Sequence, residues 1–153
     1  MPNSNNLIFV VIFLFGLKLF DWGIAVSIIL LPGTIAHELC HYLVGLLLNA
    51  CPTKLVLWPV RSGNRLVLGE VGFTHLTWYN AAMTGMAPLL LIPLAWQVAR
   101  SAGTGWHNIG MAYLEAVLLA SAIPSGTDFK VAFRFTAGPV LLFVGTFAWL
   151  VHH

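Results

Sequence analysis

The sequence predicts an all-α membrane protein, a polytopic bundle of about five helices with one small cytoplasmic β-hairpin. Three observations predict it. Hydrophobic residues make up 59% of the chain and charged residues 8%, with a mean hydropathy of +0.88. Apolar runs of spanning length alternate with short turn-rich connections. One polar stretch between them has the alternating, turn-punctuated pattern of strands. At 153 residues there is room for about four or five helices of roughly 20 residues and none for a separate globular domain, so residues 1–153 read as a single membrane-embedded unit. The net charge of +2 is dispersed, with no basic stripe interleaved with aromatics, which excludes nucleic acid as a partner. The expected surroundings are the lipid bilayer, with six Trp available for its interfaces.

The first apolar segment, residues 7–20, is of marginal spanning length. No Lys or Arg precedes its apolar core and no clean small-residue cleavage site follows, so it reads as a retained helix rather than a signal peptide. After a short Asp21-Trp22-Gly23 turn, residues 24–48 form the clearest span. Leu55-Val56-Leu57-Trp58 and Leu66-Val67-Leu68, separated by Arg61-Ser62-Gly63-Asn64-Arg65, predict a hairpin over about 55–73. Further helices follow at about 79–98 and 108–123, joined by a Gly- and Ser-containing loop over residues 100–107. Pro124 interrupts the latter helix, and a last one covers about 129–151, with Lys130 and Arg134 placed to snorkel and Gly138-Pro139 placed to kink it. Counting basic residues on alternate sides collects Lys54, Arg61, Arg65, Lys130 and Arg134 against Lys18 and Arg100, which puts the hairpin in the cytoplasm.

Chemistry enters at His37-Glu38-Leu39-Cys40-His41, which lies inside the clearest span. On a helix the i and i+4 spacing sets His37 and His41 on one face, one turn apart, where both imidazoles reach one metal ion. Glu38 falls beside them, in the position of the general base of zincin-type hydrolysis, for which a metal lowers the pKa of water. Two His and a Glu can also be polar residues packed between helices. Against that stands the cost of burial, about 2.5–3.5 kcal/mol for each ionisable group at the centre of a span. Three within five positions need a partner, and zinc, one ion per chain, fits best.

A catalytic zinc site takes three protein ligands, so another is required at matching depth. At about 1.5 Å per residue, His37 and His41 lie roughly 20–27 Å from the outer end of their helix. Glu115 lies only about 12 Å deep, whereas Asp128 lies near 30 Å if the helix continues through Pro124. Asp128 is the better candidate and Glu115 the reserve; the competing role for Asp128 is that of a helix cap ahead of Phe129.

These residues resemble the site-2 protease family of intramembrane zinc metalloproteases, in particular its small bacterial members. His37-Glu38-Leu39-Cys40-His41 is similar to the family's zinc motif, and Ala120-Ser121-Ala122-Ile123-Pro124-Ser125-Gly126-Thr127-Asp128 to its second motif, where Pro precedes a ligand Asp. Gly85-Met86-Ala87-Pro88 is a weaker third match, and the resemblance covers about residues 24–130. It implies His37, His41 and Asp128 as zinc ligands, Glu38 as catalytic base, a transmembrane protein or peptide as substrate, and the bacterial inner membrane as location. Two departures stand out. Asp128 is followed by Phe129 where many members have Gly, and the apolar 89–92 segment lacks the family's Asn, leaving Asn80, Ser121 and Ser125 as candidates for oxyanion stabilisation.

The hairpin supplies either a strand edge that captures an unwound substrate by β-addition or an interfacial loop anchored by Trp58. Cys40 and Cys51 are too differently placed for a disulfide to be expected. His75 and His107 read as non-ligands, His152 and His153 as tag-like terminal residues, and Gly85 and Gly138 as helix-packing positions. The alternative from another class is a non-proteolytic zinc-binding membrane protein, either a carrier or a degenerate scaffold. A carrier favours several weak sites along a path, and a scaffold has no use for Glu38.

Overall fold

The first helix, α1 (Ser4–Leu19), opens the computed structural model, which describes residues 4–19, 23–58, 60–62, 65–67, 69–101 and 106–152. Phe20, Asp21 and Trp22 of the expected first helix and turn, Gly63, Asn64 and Leu68 of the expected hairpin, residues 102–105 of the expected loop, and His153 lie outside the described residues. The described chain is mostly helical with short antiparallel strands.

The expected helix over 24–48 is two helices, α2 (Gly23–Ile29) and α3 (Leu31–Leu47), parted at Leu30. Pro32, in the first turn of α3, has no N–H to return to the preceding turn. Helical hydrogen bonds from the Leu30 N–H to the Val26 carbonyl and from the Thr34 N–H to the Leu30 carbonyl, each 2.9 Å, carry the chain across the break. At its other end α3 closes in a Schellman motif. The Ala50 N–H bonds to the Gly45 carbonyl at 2.7 Å and the Asn49 N–H to the Leu46 carbonyl at 3.2 Å, with Asn49 left-handed at φ 56°.

The single hairpin expected over 55–73 is instead two nested antiparallel pairs. The outer one joins β1 (Pro52–Val56) to β4 (Glu70–Phe73), and the inner one joins β2 (Val60–Ser62) to β3 (Arg65–Val67). Val56 stands opposite Glu70 and Val60 opposite Val67. The ladder breaks between them because Trp58 sits in a bend and Gly69 belongs to neither strand. Phe73 fixes the outer pair to the bundle, its ring so close to Gly45 of α3 that a Cβ there would come within 2.3 Å.

The expected helix over 79–98 is also divided, into α4 (Ala81–Gly85), a 3-10 helix (Ala87–Leu90) and α5 (Leu91–Arg100). Pro88 in the first turn of the 3-10 segment removes a donor and forces the change of winding. Helix α6 (Trp106–Ser121) ends before Pro124, and α7 (Gly126–His152) begins ahead of Asp128, three residues earlier than the expected 129, and runs unbroken through Pro139. Gly138 packs against nothing within 4 Å, contrary to the packing role expected of it.

Helix α6 packs against α1, α3 and α5, while α7 packs chiefly against α4. Leu91 and Ala95 of α5, with Leu118 and Ala122, form one buried cluster, against which Ala36 and Cys40 of α3 lie; Val10 of α1 with Ala112 and Ala116 of α6 forms a second. Cys40 and Cys51 are free thiols. Small residues fill the interior, whereas Phe9, Phe15, Phe133, Phe143 and Trp149 are exposed. Among the described residues one helical stretch, Gly126–Trp149, is long and apolar enough to cross a membrane, and 6% of its most apolar window is buried. The Leu7–Gly16 and Ala87–Arg100 stretches are apolar but shorter.

Candidate metal centre

Helix α3 presents His37, Glu38 and His41 to a cavity of about 640 Å³, whose walls also include Glu70, Val71 and Phe73 of β4, Thr84 and Gly85 of α4, Ser121 of α6, and Asp128 of α7. The i, i+4 spacing brings the two imidazoles to 3.2 Å between their Nε2 atoms. Asp128 meets them from the opposite helix, one carboxylate oxygen 3.5 Å from His37 Nε2 and the other 3.3 Å from His41 Nε2.

Both imidazoles are tied from behind. His37 Nδ1–H donates to the Ser121 carbonyl and His41 Nδ1–H to the Thr84 carbonyl, each at 2.7 Å. A carbonyl only accepts, so each Nδ1 carries a proton and each ring turns its Nε2 toward the other ring and the Asp128 carboxylate; a metal can be held there only with both Nε2 lone pairs free. Two lone pairs and a carboxylate at this range repel unless they share a positive charge. Ligand atoms around a small tetrahedral cation with bonds of about 2.0–2.2 Å stand roughly 3.3–3.6 Å apart; the Nε2–Nε2 separation of 3.2 Å and the contacts of 3.5 and 3.3 Å, made by two different Asp128 oxygens, are of the same order. His37, His41 and Asp128 together can hold a metal ion, and one ligand atom from each lies within 4.8 Å of the others. The backbone acceptors behind the imidazoles are the usual outer support of a metal-ligating His.

Close packing sets these positions. A Cβ on Gly33 of α3 would come within 2.2 Å of Ser121 Oγ and 2.7 Å of the Val117 carbonyl, so only glycine lets α6 bring the Ser121 carbonyl up to His37. A Cβ on Gly85 would lie 2.8 Å from the Asp128 carbonyl, so Gly85 has the packing role expected of it and admits the first turn of α7. Asp128 is held there by a capping box: Ser125 N–H donates to its Oδ2 at 2.6 Å, while Asp128 N–H donates to Ser125 Oγ at 3.3 Å. Asp128 is not the cap of a helix beginning at Phe129: α7 begins at Gly126 with Ser125 as its cap, and the Asp128 carboxylate that closes the capping box is also the one facing both imidazoles.

Glu38 is buried at 8% exposure, beneath Gly69, where an added Cβ would fall 2.5 Å from Glu38 Cγ. Glu115 neither joins the cluster nor lines the cavity. His75 Nδ1–H donates to the Asn49 carbonyl at 3.1 Å and His107 lies exposed, both outside the cluster. Asn80 has no donor left for an oxyanion, because its side-chain amide donates to the Leu48 and His75 carbonyls at 3.3 and 3.0 Å and accepts the Thr77 N–H at 2.7 Å. Ser121 and Ser125 do line the cavity. What sequence reasoning missed is the contribution of Thr84, Gly33 and Gly69. Only the glycines carry a signal in the sequence, as positions where another chain segment approaches closely.

Comparison with known proteins finds no match for this chain among family models, curated proteins or solved structures.

Proposed function

We propose that this chain is a polytopic intramembrane zinc metalloprotease of site-2 protease type, which hydrolyses a peptide bond in or near a substrate's transmembrane helix. The observation that carries the proposal is the convergence of His37, His41 and Asp128 on one point, with both Nδ1 atoms tied to carbonyls and Glu38 buried on the same cavity wall. The donor set of two nitrogens and one carboxylate is that of a catalytic rather than a structural zinc site. Supporting the membrane setting, α2 and α3 together span Gly23 to Leu47, about 37 Å of near-continuous helix, and large apolar residues cover the outside of a small-residue interior. By the positive-inside rule the excess of Lys and Arg favours a cytoplasmic side for the strands, and the proposed location is a bacterial inner membrane.

Zinc, when bound, supplies Lewis-acid polarisation of the scissile carbonyl and acidifies water. His37, His41 and Asp128 hold it from two helices, their orientation fixed by Ser121, Thr84 and Ser125. Glu38 takes a proton from water as its oxygen bonds to the carbonyl carbon, then delivers that proton to the amide nitrogen as the C–N bond breaks. Burial beneath Gly69 shields Glu38 from bulk water. A helical substrate must unwind to expose its backbone, and β4 on the cavity wall offers an edge for the extended segment.

The test is purification of wild type and Glu38→Gln in detergent, zinc measured per chain, and incubation of both with a panel of single-span substrates. One zinc in each protein with cleavage by wild type alone is expected. Zinc in both with cleavage in neither would point to the non-proteolytic carrier or scaffold, and zinc in neither would sink the metal centre.

A further inference from the structure

Four large apolar side chains line the cavity, and they are not equally covered. Val71 and Phe73 of β4 and Val131 of α7 are half-buried, whereas Ile123 is 72% exposed. The residues on either side of it, Ala122 and Pro124, are both buried. Of these three consecutive residues, Ile123 alone is turned away from the bundle, and it stands on the cavity wall. Leu141 of α7 is as exposed, but it lies away from the cavity.

Ile123 belongs to the four-residue link, 122–125, that joins α6 to α7, and both ends of this link are anchored at the candidate metal centre. Ser121, the residue before it, accepts the His37 Nδ1–H on its carbonyl at 2.7 Å. Ser125, its last residue, holds the Asp128 carboxylate through its N–H at 2.6 Å. Between them the Ala122 N–H donates to the Leu119 carbonyl at 3.3 Å, and Pro124 has a fixed φ. Ile123 is thus positioned from both sides by groups that orient metal ligands, and branching at its Cβ limits its own rotation. A peptide whose carbonyl reaches those ligands must bring its neighbouring side chains past this rim. We propose that Ile123 is a specificity-determining residue, the wall of an apolar subsite that takes an aliphatic side chain beside the cleaved bond and limits its size. The inference rests on the metalloprotease reading and deepens it by naming the class of substrate side chain that the site selects.

The experiment compares wild type, Ile123→Ala, Ile123→Phe and Leu141→Ala for zinc content and for kcat/KM on a set of single-span substrates. In these the two residues on each side of the cleaved bond are replaced, one at a time, by Ala, Leu and Phe. At one of the positions wild type is expected to favour Leu over Phe by about tenfold. Ile123→Ala is expected to erase or invert that preference and Ile123→Phe to move it toward Ala, each by at least about tenfold with zinc unchanged. Leu141→Ala is expected to match wild type. A ratio between substrates is insensitive to a general loss of active protein, so it separates selection from folding. Unchanged preferences in both Ile123 variants, or rates lowered equally on every substrate, overturn the role of Ile123 alone. So does loss of zinc, because Ile123 then serves the link between ligands rather than the substrate. A wild type that binds zinc but cleaves none of the set overturns the protease reading and the Ile123 role with it.

Discussion

Asp128 and Ser125 hold each other through two reciprocal hydrogen bonds, of 2.6 and 3.3 Å, at the start of α7, and the same Asp128 carboxylate faces both imidazoles of the candidate metal centre. Stability of the helix end and affinity for an ion held there would therefore be coupled through one side chain. Ser125→Ala removes the hydroxyl that accepts the Asp128 N–H, while the backbone N–H that holds the Asp128 carboxylate stays and no ligand is lost. It is expected to cost about 1 kcal/mol in unfolding free energy and, by loosening the turn that carries Asp128, to weaken zinc binding by less than about tenfold, read from denaturation and zinc titration. Asp128→Ala, which deletes the ligand as well, is expected to abolish stoichiometric zinc. Equal zinc affinity in Ser125→Ala and wild type would break the coupling.

Gly69 lies over Glu38 so closely that a Cβ would reach within 2.5 Å of Glu38 Cγ and 2.6 Å of Oε1. Gly69→Ala is expected to displace the carboxylate, leaving zinc content intact and lowering cleavage at least tenfold. The accompanying loss of stability is that of overpacking, about 1–3 kcal/mol. Normal turnover by Gly69→Ala would show that Glu38 has more room than its contacts indicate.

Two other glycines make a matched pair. At Gly33 an added methyl meets Ser121 Oγ at 2.2 Å, whereas at Gly138 it meets nothing within 4 Å. Gly33→Ala is expected to lose about 1–3 kcal/mol and to weaken zinc retention by pushing the Ser121 carbonyl off His37. Gly138→Ala is expected to gain up to about 1 kcal/mol from helix propensity alone. Reversal of that order in thermal melts would contradict the packing of α3 on α6.

Zinc bound to the folded state alone must stabilise it by mass action, by about 2.7 kcal/mol at a free concentration 100 times Kd. Saturating zinc is expected to raise the melting temperature of wild type and Glu38→Gln but not of His41→Ala. Acidification is expected to release the ion, because protonated imidazoles cannot ligate. An equal rise in His41→Ala would locate the zinc elsewhere.

The pairing of His37 with His41 was legible because i, i+4 spacing fixes a shared helix face. Asp128 was legible by depth, although the route to it differs. The depth of about 30 Å supposed a helix continuing through Pro124, whereas the chain stops at Ser121 and starts afresh at Gly126. The divisions at Leu30 and Met86 follow from Pro32 and Pro88, which are plain in the sequence but are outvoted by hydropathy when a window is scanned for span length. The tethering of the imidazoles was not legible at all. Ser121 and Thr84 serve through backbone carbonyls, which every residue possesses, so side-chain identity carries no trace of that role. The nested strand pairs were hidden for a related reason, since Trp58 and Gly69 interrupt the ladder through backbone direction rather than composition.

Beside the larger Val10, Leu91, Val117 and Leu118, the interior holds Ala81, Ala87, Ala95, Ala99, Ala112, Ala116 and Ala122, positions with almost no side-chain volume to surrender. At these alanine positions the usual order of tolerance to mutation is consequently inverted. Truncation, the usual injury to a core, has little to remove here, while growth by even one or two carbons must part neighbouring backbones. Random substitution should therefore sort by added bulk, with enlargements inside the bundle scoring worst and shortened side chains on its outer surface passing almost unnoticed.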